Sequence, residues 1–202
     1  MILLINTEVS NIGSWQRILK EKKIKFILSD QLSKIKLHQI KKIIFPGVGN
    51  FGKVMNNLRL KKLDKLLLEL INNKNIQYLG VCAGMQILLN QSEESETSGM
   101  GLIKGKIKKL NFPNFTKTHN GWNNNRIIKT NNLVSNLLEK EDFYFNHSYY
   151  CMLENQNNII AHLDGYNDVS TIIHKDNLYG VQFHPEKSHD AGIKILDNFL
   201  KI

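Results

Sequence analysis

Two rhythms of apolar residues run along the chain, one in each half. In the first half, short apolar runs alternate with stretches whose apolar residues recur every three or four positions. Residues 1–6 are such a run and predict a strand. From Ser10 to Lys22, the residues Ile12, Trp15, Ile18 and Leu19 fall on one face at helical spacing and predict a helix. Residues 24–28 and 41–45 predict two more strands, the second stopped by Pro46-Gly47-Val48-Gly49. Between Lys53 and Asn73, Val54, Leu58, Leu63, Leu66, Leu67, Leu70 and Ile71 mark helical segments, and residues 77–81 predict the next strand. Strands alternating with helices predict a parallel sheet covered on both faces.

After Asn90 the rhythm changes. Gln91 to Met100 is polar and small and reads as a surface loop, whereas residues 101–110 alternate like a strand with one exposed face. Short strands are expected at 124–129, 142–146, 158–163, 169–174 and 178–183, and a closing helix at Ala191–Leu200 with Ile193, Leu196, Phe199 and Leu200 inward. No internal repeat is present. The expected fold is α/β: an open, mostly parallel sheet covered by helices and extended by antiparallel strands in the second half.

Composition narrows the classes. Apolar residues are 42% of 202, enough to bury a core, and residues 1–202 read as a single domain. The net charge of +9 raises nucleic acid as a partner. However, the lysines are dispersed, arginine occurs only at 17, 59 and 126, and no arginine–aromatic cluster offers a base-stacking surface, so none is expected. Met1–Ile5 is too short and lacks the flanks of a secretory signal, and no apolar run reaches spanning length. A cytoplasmic location without a membrane partner is expected. Two cysteines, Cys82 and Cys151, are too few for a disulfide framework or a Cys-x-x-Cys metal site, and no metal or cofactor is expected.

The strongest chemical signal is Gly80-Val81-Cys82-Ala83-Gly84, expected to join a strand by a tight turn to a helix running on through Leu89. Gly-x-Cys-x-Gly is the cysteine form of a nucleophile elbow. Residues flanking such a corner must lack Cβ atoms for strand and helix to pack closely, and a thiol at a helix N-terminus meets N–H groups that favour thiolate. A buried structural cysteine in a βα unit would read the same way. A second signal ends the apolar run Leu178–Phe183: His184-Pro185-Glu186. With Pro185 holding the chain extended, residues 184 and 186 point the same way, carboxylate beside imidazole. That suits a base with its tautomer fixed by an acid; a strand-end histidine beside a solvated glutamate is the alternative. Both signals stand at carboxyl ends of strands, where sites gather in open α/β sheets.

Gly-Val-Cys82-Ala-Gly-Met-Gln86 together with His184-Pro-Glu186 resembles the triad-type (class I) glutamine amidotransferase family. Pro46-Gly-Val-Gly-Asn-Phe51, Gly121-Trp-Asn123, Tyr144-Phe-Asn-His-Ser-Tyr149 and Gly180–Ser188 make the chain similar, over nearly its whole length, to the glutaminase subunits of imidazole glycerol phosphate synthases. The resemblance implies that Cys82 attacks the side-chain amide of glutamine, His184 moves the proton and Glu186 orients His184. It also implies oxyanion and substrate contacts from Gly47, Val48, Gly49, Ala83 and Gln86. The implied partner is a (β/α)8-barrel cyclase or synthase subunit that receives the ammonia. Asn11, Trp122, Asn123, His147, Tyr149 and Lys187 are the implied interface and ammonia-exit positions, with Lys187 meeting a partner carboxylate; Trp122 and Tyr149 also read as core residues. Two segments depart from the family pattern. The first loop, usually Asp-Tyr-Gly-x-Gly-Asn, reads Asn6-Thr7-Glu8-Val9-Ser10-Asn11, and Asn120 stands where an apolar residue is usual. The alternatives are the same chemistry feeding a surface-polysaccharide sugar amidotransferase, and a non-catalytic interaction subunit.

Overall fold

Why the apolar runs become sheet is visible from which way their side chains point. In the computed structural model, which describes residues 1–7, 11–112, 117–138 and 140–202, four strands and the helices between them fill the first half: β1 (Ile2–Leu4), α1 (Ile12–Glu21), β2 (Phe26–Leu28), β3 (Lys42–Gly47), α2 (Phe51–Leu60), α3 (Leu63–Asn72) and β4 (Gln77–Cys82). The strands lie in the order β2-β1-β3-β4, all parallel. Period two sorts their side chains between two cores. Leu3, Ile5, Ile43, Phe45 and Tyr78 pack under Val54, Leu58 and Leu67 of α2 and α3. Ile2, Leu4, Ile44, Leu79 and Val81 pack against Trp15 and Leu19 of α1 on the other face. A fully buried leucine or isoleucine contributes about 1.5–3 kcal/mol, so each face is strongly specified.

The second half contributes α4 (Ala83–Gln86), β5 (Gln91–Ser92), β6 (Gly105–Lys109), β7 (His119–Ile127), β8 (Asp142–His147), β9 (Tyr149–Leu153), β10 (Ile159–Leu163), β11 (Tyr166–Lys175), β12 (Leu178–Val181) and α5 (His189–Lys201). The sheet order continues from β4 as β12-β11-β10-β7-β8. β12 is parallel to β4, and the pairs beyond it are antiparallel. β9 pairs antiparallel with both β11 and β6, and β5 runs parallel to β6. The expected mixed sheet is therefore found.

Several elements differ from the expectation. The helix after Cys82 is one turn long and does not reach Leu89. The Ile87 N–H still bonds four residues back, to Ala83, but the N–H groups of Leu88 and Leu89 turn to Met85 and Gln86, three residues back, and the free carbonyls of Ile87, Leu88 and Leu89 accept from Met100, Ile103 and Gly101. The loop 91–100 contains the short strand β5. The helical stretch 53–73 is two helices, broken where Lys62 adopts φ 55°. β7 starts at His119 rather than 124, and β9 lies on a segment with no predicted strand. On α5, Ile195 and Asn198 are buried with Leu196 and Phe199, while Ile193 and Leu200 are only partly covered. The expected helix start at Ser10 lies outside the described residues; the helix is present from Ile12. No helix among the described residues is long and apolar enough to cross a membrane.

Candidate active site

The topology brings two distant stretches together. β12 is the last strand in the sequence, yet it lies beside β4 in register, Gly180 opposite Gly80 and Val181 opposite Val81. Chain running on from these paired ends puts Cys82 and the 182–186 segment at the same carboxyl edge of the sheet.

Cys82 sits at φ 52°, ψ −110°, a strained setting for a residue with a Cβ. The corner is packed so tightly that side chains are excluded around it. A Cβ on Gly80 would lie 2.2 Å from the Gly84 carbonyl oxygen, and one on Gly84 would lie 2.1 Å from the Phe45 carbonyl oxygen. The Tyr78 hydroxyl donates to that Gly84 carbonyl at 2.7 Å from inside the core. Gly47, opposite Cys82 at the end of β3, could carry no Cβ either, because it would stand 2.2 Å from the Gly84 nitrogen.

His184 is clamped by β8. Its N–H donates to the Tyr144 carbonyl at 2.9 Å, and the Tyr144 N–H donates to Ser188 Oγ, which in turn donates to the His184 carbonyl at 2.6 Å. Its ring Nδ1 lies 3.0 Å from Glu186 Oε1, and both side chains are almost wholly buried. The pairing does not come from extended chain, as the sequence suggested. Pro185 opens a single 3-10 turn, Pro185–Lys187, because the first position of a turn needs no N–H and a fixed φ suits it. Burial alone would lower the pKa of His184; hydrogen bonds and charge from Cys82 and Glu186 outweigh it and push the ring up to about 10. With Nδ1 turned to Glu186, Nε2 is the nitrogen left for Cys82.

Cys82 opens into a cavity of about 340 Å³ lined also by Val48, Gly49, Asn50, Gln86, Glu94, Asn146, His147, Ser148 and Tyr149. Gly49 has φ 103° with open space where a Cβ would be. Asn50 follows as the N-cap of α2, its Oδ1 accepting from the Lys53 N–H. Ala83 is the buried first residue of α4, and Gln86, one turn on, donates from Nε2 to the Tyr149 carbonyl at 2.9 Å. A larger groove of about 740 Å³ along Ile127–Asn136 brings no nucleophile or acid–base pair together.

The implied interface positions separate into two groups. Trp122 is half exposed rather than core, stacked on His189 (ring centroids 5.0 Å, 3°) and edge-on to Tyr144. Lys187 is exposed, its ammonium 5.3 Å from the Tyr144 ring centroid. Asn120 hydrogen-bonds the Tyr144 hydroxyl at 2.9 Å, which gives the polar residue at this position a local partner. Asn123 and Tyr149 are half-buried. Asn11 precedes α1 and accepts from the Ser14 hydroxyl; residues 8–10 of the divergent first loop lie outside the described residues. His147, in contrast, is inside, on the cavity wall. Its Nδ1–H donates to the Tyr149 carbonyl at 2.9 Å, so its Nε2 accepts from His119 Nδ1 at 3.2 Å. Burial holds both rings neutral, down to about 3 for His147 and about 4 for His119.

Three site residues were not singled out from the sequence. Glu94, in the stretch read as a surface loop, faces the cavity and accepts from the Phe51 N–H at 2.6 Å. Gln182, fully buried, donates from Nε2 to Cys82 Sγ at 3.5 Å. His119 completes the neutral pair. Gln182 did leave a signal: an amide between Val181 and Phe183 in an otherwise apolar run.

The family model described as glutamine amidotransferase class-I matches residues 4–202. An imidazole glycerol phosphate synthase subunit HisH from Leptospira interrogans is 39% identical over 206 residues, covering all of both chains. The subunit HisH 2 of Methanococcus maripaludis is also 39% identical, covering all of this chain and 99% of its own. Among solved structures, that of PurLQS from Thermotoga maritima superposes with a TM-score of 0.73 at 17% identity, covering 99% of this chain and 97% of that one. The elbow cysteine, the neighbouring histidine and glutamate, and this match over almost every residue agree: the chain belongs to the class I glutamine amidotransferase family.

Proposed function

We propose that this chain is the glutaminase subunit of an imidazole glycerol phosphate synthase, hydrolysing glutamine with a Cys82–His184–Glu186 triad and passing ammonia to a (β/α)8-barrel partner in histidine biosynthesis. The observation that carries the chemistry is Cys82 on a strained corner beside a buried histidine whose far nitrogen is held by a buried carboxylate. The full-length relatives named HisH favour this pathway over a sugar amidotransferase.

The geometry supports the following steps. His184 takes the Cys82 proton at Nε2, and Glu186 holds the resulting imidazolium. The thiolate forms a bond to the amide carbon, and the carbonyl electrons move onto oxygen. The Ala83 N–H and the Gly47–Gly49 loop receive that oxyanion. His184 returns its proton to nitrogen, the C–N bond breaks, and ammonia leaves. Water, deprotonated by His184, then cleaves the thioester to glutamate and restores the thiol. Glu94 provides the carboxylate that would meet the α-ammonium of glutamine across the cavity, beside Gln86. Asn11, Trp122, Asn123, Tyr149 and Lys187 serve the partner interface and ammonia exit, with His147 lining the route between. The test is synthesis by the complex with its barrel partner. Cys82→Ala and His184→Ala should each abolish the glutamine-dependent reaction and leave the ammonia-dependent one. Glutamine-dependent synthesis surviving in Cys82→Ala would overturn the reading.

A further inference from the structure

We propose that Gln182 is a donor to the Cys82 sulfur, its amide locked N–H toward the thiolate by a chain of hydrogen bonds that starts at the Tyr149 carbonyl. The assignment rests on the glutaminase reading above only for its catalytic meaning; the polarity follows from the hydrogen bonds themselves. A backbone carbonyl can only accept. The Gln86 side-chain atom 2.9 Å from the Tyr149 oxygen must therefore be its nitrogen. The second hydrogen of that NH₂ is directed to Gln182, 3.1 Å away, which obliges Gln182 to present its oxygen there. The Gln182 nitrogen is thereby turned to Cys82 Sγ at 3.5 Å. Flipping Gln182 would set two N–H groups against each other in a site closed to water, because Gln182 has no exposed surface.

The position is set by the fold. Gln182 is one residue past the last in-register pair of β12 and β4, Val181 with Val81, so it stands beside Cys82 whenever the strands are paired. Its own N–H is committed to the Thr171 carbonyl of β11 at 2.8 Å, which fixes its backbone from the other side. The sulfur meets opposed dipoles. The Asn146 carbonyl at 3.8 Å accepts from the protonated thiol and favours it, and the Gln182 N–H favours the thiolate. The titratable groups acting on or facing the sulfur are His184, with Glu186 behind it, and Cys151, buried and held protonated; Glu94 and the neutral His147 line the same cavity. Gln182 does not line that cavity, so its influence on glutamine runs through the sulfur.

The experiment is the pH dependence of iodoacetamide alkylation at Cys82, located by peptide mass spectrometry, in the isolated protein. This readout needs no glutaminase turnover. Gln182→Glu keeps the acceptor for Gln86 and replaces the donor by a carboxylate, and Gln182→Met removes the donor at similar volume. Both should move the alkylation midpoint upward by about one pH unit, which slows the reaction up to about tenfold at pH values below the midpoint. Gln86→Met, which touches no sulfur, should shift it in the same direction by releasing the lock. In the complex, Gln182→Met should lower kcat for glutamine with KM nearly unchanged. Variants that retain the wild-type circular dichroism spectrum and the wild-type alkylation profile would overturn the assignment. A shifted profile in a protein whose wild type releases no glutamate in the complex with its barrel partner would leave the donor standing and defeat the glutaminase reading instead.

Discussion

Lowering the pH from 7 to 5 should destabilise this protein through two buried histidines, His119 and His147, the second of them on the wall of the cavity beside Cys82. His119 Nδ1 donates to His147 Nε2, and His147 Nδ1 donates to a backbone carbonyl, so a proton added at His147 Nε2 would break the bond between the rings. Their folded pKa values are pushed down to about 4 and about 3 by burial, against about 6.5 in an unfolded chain. The sign is that of a depressed histidine: below 6.5 the unfolded state binds protons that the folded state refuses, so stability falls with pH until the folded values are reached. At pH 5 each ring is about 1.5 units below its unfolded value, worth about 2 kcal/mol, or about 4 kcal/mol for the pair. That is a large share of the roughly 5–15 kcal/mol typical of a domain. His162, also depressed by burial and by Arg126, adds to the same trend. His184 runs the other way, since its raised value makes its share complete below 6.5 and lost as pH rises toward 10. Urea unfolding at pH 7, 6 and 5 measures the total, and the double variant His119→Gln, His147→Gln isolates the pair by flattening the slope. Histidine ring resonances supply an independent measure. A ring of this pair titrating near 6.5 in the folded protein would refute the reasoning, as would a double variant with the wild-type slope.

Three further outcomes are expected. Gly84→Ala would drive a Cβ to 2.1 Å from the Phe45 carbonyl and should lower stability by about 3 kcal/mol or prevent folding, whereas Gly13→Ala, with nothing within 4 Å in α1, should raise it by about 0.5–1 kcal/mol; urea midpoints compare them, and similar midpoints would contradict the packing. Glu94→Gln keeps an acceptor for the Phe51 N–H but loses the charge, so KM for glutamine should rise about ten- to a hundredfold with kcat largely retained; an unchanged KM would remove Glu94 from substrate binding. Gly49→Val is strained at φ 103° yet meets no neighbour, so the fold should survive while glutamine-dependent turnover in the complex falls about a hundredfold or more and ammonia-dependent turnover stays; unchanged turnover would exclude this loop from oxyanion binding.

What the sequence disclosed follows from the range over which each signal acts. The alternation in β1, β3 and β4 is local, and so were the two faces of the sheet. Gly80, Cys82 and Gly84 encode a corner within five residues, and His184 and Glu186 a pair within three. Glu94 was unreadable because its meaning depends on a loop returning to the Asn50–Phe51 end of α2, more than forty residues away in sequence. The short α4 was unreadable for a similar reason: Ile87, Leu88 and Leu89 are apolar like a continuing helix, but Leu88 and Leu89 tighten onto Met85 and Gln86 and the carbonyls of 87–89 are bonded by Met100, Gly101 and Ile103, contacts that their own pattern does not announce. β9 pairs β6 with β11, so its register is dictated by partners on both sides rather than by its own pattern.

The order of the strands also bears on how the molecule is made. β12 fills a central place in the sheet, between β4 and β11, but is synthesised after every other described strand. A nascent chain therefore carries Tyr78-Leu79-Gly80-Val81 as an open, apolar edge until about a hundred further residues have left the ribosome. During that interval the chain lacks His184 and Glu186 and offers a template for pairing with other chains. Closing so long a loop late is slow, and a product that stops before Leu178 lacks two members of the proposed triad and leaves the β4 edge open to pairing. The strand that leads into His184 and Glu186 is the same one that closes this edge, so the proposed triad is assembled and the exposed edge is covered in one event.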